Sequence, residues 1–152
     1  MKSPTTRKTS FGYRFAMIHR MHAALSREGM LALGITAAQF PFLGELFHAQ
    51  PPVTQETLSR TLCIDPAATA RALDQLQKKG LVSREVNPEN RRQKLVSATP
   101  LAWTMQEKFY KVLSNASEEL VIGLSQEEKE TTLTLLDRIM ANGMTAKYGK
   151  KE

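Results

Sequence analysis

Cysteine is nearly absent from this chain, since Cys63 is the single one among 152 residues. One cysteine excludes an intramolecular disulfide framework. The sequence also lacks an apolar run long enough to span a membrane and a signal-peptide core after Met1. We therefore expect a cytoplasmic protein that does not associate with membranes. Cys63 lies between apolar neighbours in TLCID, which favours a buried structural thiol over a redox switch.

Catalytic motifs are missing as well. The sequence contains no glycine-rich phosphate loop, no paired-cysteine zinc spacing, no HExxH and no nucleophile elbow. We predict that the protein is not an enzyme and needs no cofactor. His19 and His22 could begin a metal site, but two histidines without a nearby cysteine or acidic cluster are more often packing residues. No metal is expected.

The chain does have a moderate apolar content and an excess of positive charge. With 41% hydrophobic residues among 152, it can bury one core, which predicts a single domain over residues 1–152. The net charge is +6, and residues 66–94 hold seven Lys or Arg against three Asp or Glu, a local excess of +4. This concentration favours an anionic partner, although many basic proteins bind no nucleic acid.

Two short helices joined by a tight turn are predicted between Thr54 and Gly80. Thr54 can cap the first helix, and Asp65 followed by Pro66 is a typical start for the second. Gly80 ends the second helix, because glycine readily adopts the left-handed conformation that terminates helices. This arrangement is the helix-turn-helix pattern.

The second of these helices has two unlike faces. Its apolar positions recur at helical spacing and would face a core: Thr69, Leu73 and Leu76. The opposite face begins with small residues and becomes polar and basic: Ala67, Ala68, Arg71, Asp74, Gln75 and Lys78. One interpretation is an ordinary solvated face. The other is a base-reading face, since Arg and Gln side chains can recognise guanine and adenine edges.

After Gly80 the apolar pattern changes from helical to alternating. Residues 81–86 and 94–98 favour strands, and the intervening NPENRR has the composition of a turn. Arg91 and Arg92 at the hairpin tip outnumber the carboxylates nearby, which suits phosphates or a narrow minor groove. A solvated tip is the alternative. Beside a helix-turn-helix, such a hairpin predicts a winged helix.

Amphipathic helices are predicted before this unit. Residues 1–8 are polar and basic, and we expect them to form a frayed arm. Apolar residues at helical spacing predict a first helix from Thr9 or Ser10 to near Gly34, which packs against its own core or against another subunit. A second helix is predicted to open at Thr36, because Thr36 and Gln39 match a capping box.

Further amphipathic helices are predicted after the hairpin. One continuous helix is expected from Pro100 to about Gly123, since its apolar residues keep helical spacing throughout. Ser125 and Glu128 then match another capping box and open the last helix. The apolar side of that helix carries Leu133, Leu136, Ile139 and Met140. Spacing alone does not say what these stripes pack against.

Several segments resemble the MarR family of bacterial winged-helix regulators, over nearly the full chain. They are QxxxLxxL from Gln39 to Leu46, then LSRTLCIDPAATARALDQLQKKGLVSREVNPENRR and KLVSATP, with RALDQLQKKGLVSR the most specific part. The resemblance implies a mainly α fold with a small β-hairpin wing. It places a winged helix-turn-helix unit at residues 36–98 and dimerisation helices at residues 9–33 and 100–146.

The same resemblance implies a function. Family members bind palindromic double-stranded DNA as homodimers, with the recognition helix in the major groove and the wing in the minor groove. A transcriptional regulator is therefore expected, acting as a repressor and modulated by a small phenolic or lipophilic effector. The residues expected to contact DNA are Thr54, Ser59, Ala67, Ala68, Arg71, Gln75, Lys78, Arg91 and Arg92. Those expected to line an effector pocket, with core packing as the alternative for each, are Phe15, His19, His22, Phe47 and Trp103.

The wing departs from the family pattern at one position. The pattern Asp-x-Arg falls on Asn90, Arg91 and Arg92, so Arg92 matches the minor-groove arginine and Asn90 replaces the acidic residue that would steady it. Two other functions stay open. A winged-helix protein-interaction module would bind duplex DNA weakly, and the basic wing argues against it. A ligand sensor without specific DNA binding is the other alternative, and Asn90 is the feature that keeps it open.

Overall fold

The structure is a computed structural model that describes residues 9–49 and 52–149, so the predicted arm at residues 1–8 lies outside the described residues. The elements in order are α1 (Phe11–Ala32), α2 (Phe40–His48), β1 (Val53–Thr54), α3 (Gln55–Thr61), α4 (Pro66–Lys78), β2 (Val82–Val86), β3 (Lys94–Ala98), α5 (Pro100–Thr104), α6 (Gln106–Leu120) and α7 (Gln126–Tyr148). The fold is a mainly α winged helix-turn-helix with a small sheet, as predicted.

The ends of α3 and α4 follow from local signals. The Thr54 hydroxyl accepts a hydrogen bond from the Thr57 N–H at 3.1 Å, and the Asp65 carboxylate accepts one from the Ala68 N–H at 2.8 Å. These bonds satisfy donors that the first turn of a helix leaves unpaired. Gly80 has φ +73° and ends the region of α4. The predicted caps and terminator are confirmed.

The turn between α3 and α4 contains Cys63 in a left-handed conformation, with φ +53°. Its side chain is exposed, and the Sγ lies 3.8 Å from the Arg60 carbonyl oxygen. The prediction that Cys63 is buried was wrong. The reason is that the tight turn points this position outward, although its sequence neighbours Leu62 and Ile64 are partly buried and pack against the core.

The wing belongs to a three-stranded antiparallel sheet in the order β1-β3-β2. Strand β3 pairs with β2 from Val82 opposite Ala98 to Val86 opposite Lys94. On its other edge, β3 pairs with β1, where Val53 lies opposite Val96. The sequence did not predict β1, because a two-residue strand is too short to show alternation.

One hydrophobic core joins the helix-turn-helix to the sheet and to neighbouring helices. Its buried residues come from α1 to α6, from both wing strands and from two connecting segments: Met30, Ile35, Phe42, Leu43, Leu46, Phe47, Leu58, Ala72, Leu73, Leu76, Leu81, Val82, Val96, Ala102 and Phe109. The predicted inner face of α4 is confirmed, since Thr69, Leu73 and Leu76 are buried. Burial of this face fixes which side of α4 is outward.

Helix α2 begins one turn later than predicted. Residues 37–39 form a turn, and the Gln39 and Phe40 N–H groups both donate to the Thr36 carbonyl oxygen, at 3.0 and 3.1 Å. Pro41 explains the delay, because it lacks the N–H that a regular helix would direct to the fourth residue before it. Half of the predicted capping box is present, since Gln39 Oε1 accepts from the Thr36 N–H at 3.3 Å.

The continuous helix predicted after Pro100 is broken at Met105. The Met105 N–H donates to the Ala102 carbonyl oxygen at 3.0 Å, and the Phe109 N–H donates to the Met105 carbonyl oxygen at 2.9 Å. The first of these is a three-residue spacing, so the chain tightens for one turn and separates α5 from α6. The prediction of one helix was therefore wrong.

A close approach between α1 and α6 depends on Gly29. A Cβ at this position would lie 2.8 Å from both methyl carbons of Val112, closer than carbon atoms approach in folded proteins. Any larger residue would push the two helices apart. Helix α1 ends at Ala32, and Gly34 follows with φ +75°, in agreement with the predicted end of this helix.

The chain divides into two compact units, Met1–Ala116 and Ser117–Glu152. The second unit contains α7, whose predicted capping box is confirmed by reciprocal hydrogen bonds between Ser125 and Glu128. None of the residues of α7 is buried. Across the described ranges 9–49 and 52–149, every helix falls short of the length or the apolar character needed to cross a membrane.

Candidate nucleic-acid interface

The outward face of α4 carries most of the residues predicted to contact DNA. Arg71, Gln75 and Lys78 are exposed, as is Ala67, and Ala68 is partly buried. Small residues therefore stand at the beginning of the helix, and longer polar residues follow one, two and three turns later. A helix of this kind can approach a surface closely at its N-terminal end while its later side chains reach outward.

The wing tip is a closed turn with two exposed arginines, Arg91 and Arg92. The Asn87 N–H donates to the Gln93 carbonyl oxygen at 3.0 Å, and the Gln93 N–H donates to the Asn90 carbonyl oxygen at 2.9 Å. In addition, Asn90 Oδ1 accepts a hydrogen bond from the Arg92 N–H at 3.2 Å. A neutral amide thus holds the backbone at Arg92, as side chains of Asn and Asp both do in turns.

Arg84 connects the wing to α4. Its side chain is 11% exposed, and its guanidinium forms an ion pair with Asp74 of α4. Arg84 Nε also donates to Gln77 Oε1 at 2.8 Å, and Arg84 Nη1 donates to Gln55 Oε1 at 3.4 Å. The planar guanidinium can serve several acceptors at once, so one side chain links β2 to α4 and α3.

The role of Arg84 was not predicted from the sequence. The signal was present in the alternation of β2, because Arg84 lies two residues after the buried Val82 and so shares its face of the strand. A second link missed in the sequence joins the other side of the wing to α3, where Gln93 Nε2 donates to Glu56 Oε2 at 3.0 Å. These contacts hold the wing in a defined position beside α4.

Thr54 and Ser59 use their hydroxyl groups within the helix-turn-helix. The Thr54 hydroxyl caps α3 and lies 2.8 Å from the Thr57 hydroxyl. Ser59 is buried, and its hydroxyl donates to the Ile64 carbonyl oxygen at 2.5 Å. Both side chains therefore have structural roles, and contact with phosphate stays a prediction for them.

A buried amide links α4 to the segment that follows α1. Lys79 Nζ donates to the Gly34 carbonyl oxygen at 2.6 Å and to Gln39 Oε1 at 2.7 Å. Gln39, which is 1% exposed, donates from Nε2 to Gln75 Oε1 at 2.8 Å. The sequence did not predict this link, because Gln39 and Gln75 are 36 residues apart.

The five residues predicted for an effector pocket lie in different surroundings. Phe47 is buried, and the centroid of its ring lies 5.1 Å from the ring centroid of Trp103. On α1, Phe15 and His19 are exposed, and His22 is partly buried. None of the five is among the described residues that line a cavity of about 450 Å³ at the end of α1: Ala23, Ala24, Ser26, Arg27, Met30, Leu31, Ile35, Thr36, Ala37 and Phe40.

The histidines on α1 do not belong to a larger cluster of metal-ligating side chains in the described part of the chain. Within residues 9–49 and 52–149, no three His, Cys, Asp or Glu side chains come together in a way that could hold a metal ion. His19 is exposed on α1 and His22 is partly buried. Their three-residue spacing thus gives no reason to assign a metal site.

Comparison with known proteins extends these observations. The sequence model described as the MarR family matches residues 35–94. A MarR transcriptional regulator from Methanosarcina mazei Go1 is 28% identical with a TM-score of 0.83, covering 89% of this chain and 96% of that one. Wild-type MarR from E. coli is 30% identical with a TM-score of 0.71, covering 86% and 96%.

A third similar structure is a MepR–DNA complex from S. aureus. It is 25% identical with a TM-score of 0.77, and the match covers 88% of this chain and 98% of the MepR chain. Together with the three-stranded wing, the helix-turn-helix and the amphipathic helices on either side, these likenesses extend over almost the full length of the relatives. The chain therefore belongs to the MarR family of winged helix-turn-helix transcriptional regulators.

Proposed function

We propose that this protein binds DNA sequence-specifically as a homodimer and regulates transcription. In this proposal α4 enters the major groove and the wing enters the adjacent minor groove. The observation that carries it is Arg84, which holds the basic wing at a defined position beside the exposed face of α4. A DNA-binding surface built from two elements needs such a link, because its contacts with the bases and with the DNA backbone must be made in one register.

The distribution of charge supports an anionic duplex as the partner. The local excess of +4 lies in residues 66–94, which form α4 and the wing. Arg71, Lys78, Arg91 and Arg92 are all exposed, so their charges are available to phosphates and to the negative potential of a minor groove. The related MepR, whose structure was determined with DNA, is consistent with this use of the fold.

Exposed apolar side chains support a homodimer. Helix α7 carries a series of them: Leu133, Leu135, Leu136, Ile139, Met140 and Met144. Helix α1 separately carries another series: Phe11, Tyr13, Phe15, Ile18, Met21, Leu25 and Leu31. Surfaces of this kind are unusual on monomers and mark protein interaction sites. A second copy of the chain would cover them and would present two reading units to a palindromic site.

The effector is proposed to be a small phenolic or lipophilic molecule. The cavity of about 450 Å³ has a mainly apolar lining, and Ser26, Arg27 and Thr36 give it polar groups. The predicted residues around Phe47 and Trp103 offer aromatic surface at another place. Titration of the DNA complex with benzoate and with phenol tests the proposal. Comparison of this titration in Arg27→Ala and in Trp103→Ala decides between the cavity and the aromatic site.

Repression is the proposed effect on transcription. A dimer that covers about two turns of a promoter blocks polymerase from the same DNA, which requires no further contact. Transcription in vitro from a template with the selected site should decrease as protein is added. An increase would overturn repression but not DNA binding.

Selection of bound duplexes from a random pool tests the main proposal. We expect a palindrome with half-sites about one helical turn apart, roughly 34–36 Å. Arg71→Ala should relax the preference at one position in each half-site and cost roughly 1–3 kcal/mol. Enrichment of no sequence, together with binding that disappears at physiological salt, would favour a protein-interaction module or a ligand sensor instead.

A further inference from the structure

We propose that Gln39 determines the base preference of this protein by acting through Gln75. Gln39 fixes the amide of Gln75 so that its N–H groups, and not its oxygen, are offered to the major groove. The position that Gln75 contacts should then prefer guanine to cytosine. This inference rests on the proposed DNA-binding function and deepens it, since Gln39 is a positioning residue that does not itself reach DNA.

The orientation of the Gln39 amide follows from its partners. An ammonium group and a backbone N–H can only donate hydrogen bonds. Lys79 Nζ lies 2.7 Å from one end of the Gln39 amide, and the Thr36 N–H donates to the same atom at 3.3 Å. That atom must therefore be the oxygen, Oε1, because the amide nitrogen has no free lone pair with which to accept.

The orientation of Gln75 follows in turn. With Oε1 of Gln39 directed to Lys79, the other end of the Gln39 amide is Nε2, a donor. The atom of Gln75 that lies 2.8 Å from Nε2 must accept a hydrogen bond and is therefore Oε1. Since Gln39 is buried and Gln75 is exposed, the oxygen of Gln75 is held toward the protein and its amide nitrogen is left at the other end.

The chemistry of the major groove converts this orientation into a preference. Guanine presents two acceptors there, N7 and O6, whereas cytosine presents an amino donor, N4. A side chain that offers N–H groups pairs with guanine and leaves the amino group of cytosine without an acceptor. Unrestrained glutamine can rotate its amide by a half-turn and reverse this choice, but Gln39 removes that freedom in Gln75.

Substitution of Gln39 by glutamate should reverse the preference. A carboxylate at this position still accepts from Lys79 and from the Thr36 N–H, and the ammonium of Lys79 keeps it ionised. It has no donor for Gln75, so the Gln75 amide must rotate to donate inward and present its oxygen outward. Gln39→Glu should thus change a guanine preference of about tenfold into a cytosine preference of similar size at one position in each half-site.

The experiment compares wild type and three variants by random-pool selection, followed by binding to duplexes that differ only in G·C or C·G at the affected position. Gln75→Glu serves as a second test that leaves the buried site unchanged, and its outward carboxylate oxygen should also select cytosine. Gln77→Glu is the matched control. It adds the same charge to α4, and Gln77 already accepts from Arg84, so affinity should fall for all sequences while the preference stays.

The outcomes separate this inference from the proposed function. A reversal in both Gln39→Glu and Gln75→Glu, but not in Gln77→Glu, supports it, because a merely structural defect lowers affinity without reversing a base preference. If wild type selects a site and folded Gln39→Glu keeps its preference at every position, the inference fails and DNA recognition stands, whatever Gln75→Glu does. If wild type selects no site, both fail. Circular dichroism melting shows whether Gln39→Glu folds. If it does not, Gln39→Met takes its place: it cannot hold the Gln75 amide, so the guanine preference should be lost, and an unchanged preference would overturn the inference.

Discussion

The winged-helix region and helix α7 have equally clear local signals but differ in what surrounds them. In the former, α4 has a side-chain cap, a glycine terminator and a buried inner face. Helix α7 has a complete capping box, yet none of its residues is buried. Capping determines where a helix begins, whereas burial supplies most of its stability. The proposed homodimer would give α7 the partner surface that α4 already has within its own unit.

Leu73→Ala should give the largest effect, because Leu73 is fully buried in the core beneath α4. Removal of its side-chain carbons should lower the free energy of unfolding by about 2–5 kcal/mol, measured by urea denaturation. The matched control is Leu133→Ala in α7, where the side chain is 62% exposed. At protein concentrations below the dimer dissociation constant, Leu133→Ala should lower the free energy of unfolding by less than about 0.5 kcal/mol. Equal losses would contradict the contrast between the two regions.

Met140→Glu tests whether the apolar side of α7 packs against a second copy of the chain. Met140 is 67% exposed on the apolar side of α7, and a carboxylate there would lose water on dimerisation. We expect the dissociation constant to rise about a hundredfold, roughly 2.7 kcal/mol, in sedimentation equilibrium. Asn142→Glu adds the same charge to another side of the helix and should leave dimerisation unchanged. A similar weakening by both variants would argue for a general charge effect.

Arg84→Met removes the link between the wing and α4 while it keeps the apolar stem. Loss of the hydrogen bonds to Gln77 and Gln55 and of the ion pair with Asp74 should lower the free energy of unfolding by about 1–2 kcal/mol. Affinity for the selected duplex should fall as well, because the wing is no longer held in register. Arg91→Met removes the same charge from the exposed tip, and its stability should stay within about 0.5 kcal/mol of wild type.

Arg92→Ala should have the smallest effect on stability and a specific effect on DNA binding. One fewer contact with the duplex should reduce the slope of log K against log salt by about one unit. Arg138→Ala removes an exposed arginine from α7 and should leave the slope unchanged. An unchanged slope for Arg92→Ala would count against insertion of the wing arginine into the groove.

Much of the winged helix could be predicted from the sequence because its signals are local. The cap of α4 lies within four residues of chain, and the two faces of the helix follow from residue spacing. The turn of the wing is similarly local, since Asn90 and Arg92 interact two residues apart. Even here two local features led to departures from the prediction, since Pro41 delayed α2 and a tight turn exposed Cys63.

The parts that could not be predicted depend on residues far apart in the chain. Gln39 and Gln75 meet across 36 positions, and Gln93 and Glu56 across 37. Strand β1 is a strand only because β3 lies beside it. Periodicity and capping carry no information about such pairs, because they describe one element at a time.

The sequence by itself therefore determined the boundaries of α4, the direction of its polar face and the basic character of the wing. Only the tertiary structure decided how these parts are joined. In the folded protein the Arg84 side chain joins the wing to α4, and the buried amide of Gln39 orients Gln75. The physical reason is that the orientation of a polar side chain depends on its hydrogen-bond partners. These partners come from distant segments, which meet only when the core forms.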